Sequence, residues 1–224
     1  LSVSGMAQVA TWNVSTLPGG AGNFGPNPQA PTTTNANATV TGLTRASGVL
    51  TANSGAARGW GGHGWAGTSA AGIIGNQFIT FTAKANTGYA LSLSNFSPFD
   101  YRRSASGPPY ALLQYQINSG TFVDIATLSF LTTTSGGGAA GPVDLSTFPA
   151  LQNVPASDVV TFRLIPYGAT GTSGTFYIFD VAASTASDLT LNGTLTVAST
   201  CTTPGTPSCA IPAPVCEGNS VTIV

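Results

Sequence analysis

Between Arg58 and Gly67 the chain reads Arg-Gly-Trp-Gly-Gly-His-Gly-Trp-Ala-Gly. This stretch holds two of the three tryptophans and the only histidine. The glycines between the large side chains let a backbone turn tightly and use positive φ. A loop is therefore expected, presenting the indole faces of Trp60 and Trp65 to sugar rings, with Arg58 and His63 donating to hydroxyls. The competing expectation is that both tryptophans cap the core and Arg58 braces Asp100 or a loop carbonyl. Arg102 and Tyr110, on later strands, complete the ligand-binding candidates. Strand alternation sends Arg102 and Arg103 to opposite faces, so an inward arginine calls for a carboxylate such as Asp180, because an unpaired buried charge is costly. Arg163, between Phe162 and Leu164, poses the same question.

Catalysis has little to draw on. Before position 200 there is no Glu and no Cys, and the acids are Asp100, Asp124, Asp144, Asp158, Asp180 and Asp188. A Cys–His nucleophile is excluded there. A Ser–His–Asp triad depends on His63, and no serine sits in a Gly-x-Ser-x-Gly elbow. Glycoside hydrolysis needs two carboxylates, for which Asp100 and Asp180 are the pair to watch. The expectation is a protein that is not an enzyme. A structural calcium ion held by Asp and backbone carbonyls is a further candidate, at Asp100 and Asp180, although no Asp-x-Asp-x-Asp-Gly run occurs.

Composition narrows the function classes. Charged residues make up 6% of the 224, against roughly a quarter in an ordinary soluble domain. The net charge of −1 offers no footprint for nucleic acid or anionic lipid. Apolar content is 42%, yet no run approaches the ~20 residues of a membrane-spanning helix. The opening Leu1 to Ala7, before Gln8, has the apolar-then-small pattern of the end of a signal peptide, which implies export.

The elements that carry these residues read as short strands. Gln8 to Thr16 alternates, Gly19 to Asn37 is too polar for core and reads as a surface loop, and Val40 to Leu50 is a weak strand. Ile73 to Ala83 is rich in Ile, Phe and Thr, and Tyr89, Leu91 and Leu93 alternate with small residues. Phe99 to Ser104 forms a separate strand after Pro98. Tyr110 to Ile117 and Thr121 to Leu128 flank Asn118-Ser119-Gly120, the signature of a hairpin. Ser135 to Gly141 is a glycine-rich loop. Asp158 to Pro166, Thr175 to Ala183 and Asp188 to Val197 supply three more strands, and no helical period persists over ten residues. Nine or ten strands without helices imply an all-β, jelly-roll-like antiparallel sandwich over residues 8–199 with an extended C-terminal tail.

The tail changes character. Residues 200–214 are rich in proline and carry Cys201 and Cys209, which are expected to close a small disulfide loop in an oxidising compartment. Residues 215–224 begin another alternating strand, so a further β module is expected beyond it. The segments Ala57 to Trp65, Leu91 to Ser94 running into Phe99-Asp100-Tyr101-Arg102-Arg103-Ser104, and Gly174-Thr175-Phe176-Tyr177-Ile178-Phe179-Asp180-Val181 together resemble the N-terminal β-sandwich modules of large bacterial surface proteins exported by the type IX route. Pro214 to Ile223 is similar to the opening strand of the immunoglobulin-like repeats that follow in such proteins. The resemblance implies a secreted cell-surface location, adhesion or capture of an extracellular glycan, and downstream Ig-like domains as partners. It carries no site residues. The alternative is a fibre subunit whose tail strand completes a neighbour's sheet by main-chain pairing.

Overall fold

The computed structural model describes residues 7–198. The signal-peptide end, the proline-rich linker, Cys201, Cys209 and the Ig-like opening strand lie outside the described residues.

Nine strands of at least five residues form the frame: β1 (Ala7–Trp12), β2 (Gly59–His63), β3 (Ile79–Ala85), β4 (Tyr89–Arg103), β5 (Tyr110–Ile117), β6 (Val123–Ser129), β7 (Val160–Tyr167), β8 (Thr175–Phe179) and β9 (Leu189–Val197). One sheet runs β1-β9-β4-β8-β2, with Thr33–Thr34 outside β1. The other runs β6-β5-β7-β3, edged by Ala38–Val40. All pairings are antiparallel, and the first long strand lies beside the last. The protein is an all-β sandwich. Among the described residues no helix is long and apolar enough to cross a membrane.

The strands form where alternation can bury one face. In β3, Ile79, Phe81, Ala83 and Ala85 are buried while Thr80, Thr82 and Lys84 are not, a period of two that only a half-buried strand satisfies. Phe81 meets Trp12, Phe96 and Phe162 with ring centroids 5.1, 6.1 and 5.2 Å away, and this aromatic cluster joins the two sheets. Each such ring contributes about 1.5–3 kcal/mol by leaving water. An apolar void of about 20 Å³ remains beside it, lined by Phe81, Phe96, Phe99 and Phe162. With no polar partners for a water, it is a gap in packing.

Several expectations need correction. Ile73 and Ile74 belong to a short helix, α1 (Ser69–Ile74), whose amino end is capped by the Thr68 side chain accepting from the Ala71 N–H. Gly75 and left-handed Asn76 then reverse the chain, so the strand starts at Ile79. Phe99 to Ser104 is not separate, because β4 runs through Pro98 as fifteen residues. Pro98 lacks a donor, and it falls where the β4–β9 register shifts between Leu191 and Leu189. The segment from Gly19 to Asn37 is mostly irregular, but it buries Phe24 to 1% exposure and its Gln29 carbonyl accepts from the Trp12 indole at 3.1 Å. Strand β8 ends at Phe179, and Asp180 opens a loop that lasts until Asp188. The hairpin is as expected: β5 and β6 pair across Asn118, whose φ is 52°.

Candidate functional site

The glycine-rich stretch is a strand. Residues 59–63 pair with β8 from His63↔Thr175 to Gly59↔Phe179, and all five are buried. Glycine serves close approach here. A Cβ on Gly59 would sit 3.1 Å from Tyr177 Cδ1 and 3.2 Å from Phe179 Cδ2, and one on Gly61 only 1.9 Å from the Phe176 carbonyl oxygen. Positive φ is needed just past the strand, at Gly64 (83°).

The expected loop with open indole faces is therefore corrected. Trp60 is fully buried and Trp65 is 4% exposed. The Trp60 indole donates to the Pro26 carbonyl at 2.6 Å, and that of Trp65 to the Gly62 carbonyl at 3.1 Å. Neither ring can stack on a sugar. His63 is buried as well, with Nδ1 donating to the Thr172 carbonyl at 3.1 Å and Nε2 without a partner among the described residues. Tyr110, 41% exposed, lies against Tyr167 at 5.7 Å and stands apart from the others.

The inward arginine is one that the sequence reading passed over, and it takes no carboxylate. Arg45 is 9% exposed and lies 4.7 Å from the Trp60 ring centroid. Its guanidinium donates to the carbonyls of Phe24, Gly61, Gly25 and Pro26 at 2.6–3.3 Å. Burial lowers its pKa to about 10, which leaves it charged at neutral pH. Arg103 likewise uses carbonyls, those of Phe130, Ser104, Ala105 and Gly107. Arg163 donates to Gln114 Oε1 at 2.6 and 2.8 Å and stacks 3.6 Å from the Phe122 centroid.

Asp180 is claimed by Arg58. Left-handed Arg58 (φ 59°) places Nη1 3.5 Å from Asp180 Oδ2, with the carboxylate 1% exposed. Asp180 Oδ1 accepts from the Ser184 N–H. Asp188 Oδ2 accepts from the Val14 N–H at 2.7 Å, but burial, and then the charges of Asp180 and Asp100, still raise its pKa to about 6. Burial and Asp180 also raise the pKa of Asp100. Asp100 therefore lies within electrostatic reach of Asp180. A calcium ion there would have to displace Arg58, and among the described residues no group of three or more His, Cys, Asp or Glu side chains is arranged to hold a metal.

An open cleft forms beside this cluster. On the outer face of the sheet, alternation lines up Thr175, Tyr177 and Phe179 of β8 with Arg102 of β4, with Ser104 just past its end and with Gly59 and Gly61 of β2. The Gly20–Ala21/Ser54–Gly55 ribbon covers the β2 half, where Phe24 stacks on Tyr177 at 5.6 Å and 6°. The β4 half stays open, as a cleft of about 420 Å³. Arg102, Arg103, Ser104, Thr175 and Tyr177 form its floor, and the walls come from Ser54–Ala56 and from Thr133 and Ser135. The Tyr177 hydroxyl accepts from the Ala56 N–H at 3.2 Å, and Ser104 Oγ from the Thr175 N–H at 2.9 Å. Burial pushes the Tyr177 phenol up from its usual pKa, so it stays a neutral donor.

Of the residues expected to bind ligand, only Arg102 lines the cleft. Its remaining walls were missed. The local signal was the spacing of two that puts Thr175 with Tyr177, and Arg102 with Ser104, on one face, but nothing local shows that one half of the face is covered. No family model matches the chain, no curated protein matches it and no solved structure matches it.

Proposed function

We propose that this chain is a non-catalytic extracellular binding module that takes a glycan in the cleft over β4 and β8. The observation that carries the proposal is the cleft itself, which is open, floored by a guanidinium and walled by hydroxyls. Its volume of about 420 Å³ falls within the roughly 300–1,000 Å³ of small-ligand sites. Ser54, Ser104, Thr133, Ser135 and Thr175 offer donors and acceptors that match sugar hydroxyls. A non-catalytic role is supported by His63, whose Nδ1 is committed to Thr172 and whose ring is buried, away from any substrate. Secretion and a cell-surface address, with Ig-like domains following, rest on the resemblance to type IX surface modules and on the scarcity of charge.

The test is a glycan-array screen of the full chain beside a Ser135→Trp variant. Ser135 is exposed on the cleft wall, so an indole there fills the cleft without touching the core. Binding by the parent chain, lost in the variant at unchanged melting temperature, is the expected result. Binding that survives the indole moves the site elsewhere.

A further inference from the structure

We infer that the cleft selects an acidic glycan, one carrying a carboxylate or a sulfate ester, and that Arg102 holds the anionic group. This rests on the glycan-binding reading above and deepens it. The five arginines are not equivalent. Arg45 and Arg103 are spent on backbone carbonyls, Arg163 on Gln114, and Arg58 on Asp180. Arg102 alone among them makes no hydrogen bond or ion pair with any described residue. What it touches is a ring, with its guanidinium carbon 5.2 Å from the Phe179 centroid. That contact orients the planar group and leaves its N–H edge free.

Its surroundings point to an anion. Among the described residues no carboxylate lines the cleft. Asp100 lies two positions earlier on the same face of β4, yet the one ion pair among the described residues is Arg58–Asp180, so no described carboxylate is paired with Arg102. A guanidinium edge matches carboxylate and sulfate oxygens in a two-bond fork. The hydroxyls of Ser104, Thr175 and Ser135 beside it then suit the sugar ring that carries the charge, where a bare anion would leave them to water.

The test is titration calorimetry on the full chain with three probes: a uronic-acid oligosaccharide, a sulfated oligosaccharide and a neutral oligosaccharide of the same backbone. Arg102→Gln and Arg102→Lys variants are run beside the parent, each with a melting curve. The expected result is binding of one or both acidic probes, weakened about tenfold or more in Arg102→Gln and less in Arg102→Lys, and weakened by added salt. The two acidic arms decide between carboxylate and sulfate. A neutral probe that binds as tightly as the acidic ones, with no change in Arg102→Gln, overturns the inference and leaves the glycan reading standing. Inorganic sulfate or acetate binding as well as the sugars overturns the acidic-glycan inference in favour of a simple anion site. No binding by any probe overturns both. Should Arg102→Gln melt early, Arg102→Lys keeps the cation and tests the fork alone.

Discussion

At the scale of single residues, the two tryptophans that most resemble ligand platforms serve the core. Trp60→Ala and Trp65→Ala should each cost about 3–5 kcal/mol, as large-to-small changes in packed aromatic sites do. Chemical denaturation followed by circular dichroism measures this, and a near-neutral result would return the indoles to the surface. Arg45 matters for a different reason. It is the donor shared by four carbonyls, including Gly61 of β2 and Phe24 of the covering loop. Arg45→Met keeps much of the volume and removes every donor, so about 2 kcal/mol or more should be lost. A midpoint unchanged in urea would show that water replaces the guanidinium.

Individual elements place two further demands, on β2 and on the loop after β8. Gly61→Ala should destabilise by about 3 kcal/mol, since its Cβ would collide with the backbone of β8 rather than with a side chain able to move. Gly67→Ala is the control, because a Cβ there meets nothing within 4 Å and the change should stay within about 0.5 kcal/mol. The loop between Asp180 and Asp188 couples folding to pH. The Asp188 pKa is raised to about 6, so the folded state holds a proton that the unfolded chain releases near pH 4. That stability is fully present below the unfolded value and fades as pH rises through about 6. Asp100 is shifted in the same direction, while Ser146 holds the exposed Asp144 below its usual pKa and acts in reverse only at lower pH. The melting temperature should therefore be higher at pH 5 than at pH 7.5. Asp188→Asn, whose amide oxygen can still accept from the Val14 N–H, should flatten that slope. A slope that survives the substitution assigns it elsewhere.

At the scale of the whole molecule, the described sandwich contains no cysteine. No cysteine precedes position 201, and the sandwich is joined by aromatic packing and by pairing of its first and last long strands. A reducing agent should leave the main unfolding transition unmoved, and a shift of more than a few degrees would tie the tail's cysteines to the sandwich. Bringing β1 beside β9 closes almost the whole chain into one loop, a topology expected to fold in milliseconds to seconds.

How much of this the sequence determined follows from what is local. The alternation of Tyr89, Leu91 and Leu93 in β4, the Asn118–Gly120 turn and the strand starting near Asp158 were readable because alternation and turn chemistry are set by adjacent residues. Charge scarcity and the absence of a cysteine or glutamate from the sandwich were equally plain. The meaning of the glycines between Arg58 and Gly67 was not local. Glycine permits either a turn or a close approach, and the choice fell to Tyr177 and Phe179, rings from a strand far along the chain. The burial of Phe24 beneath a polar loop, the four carbonyls on Arg45 and the carboxylate taken by Arg58 arise the same way. So does the cleft, since the covering ribbon and Phe24 lie over one half of the outer face and Arg102 lines the other, where no described residue accepts from it.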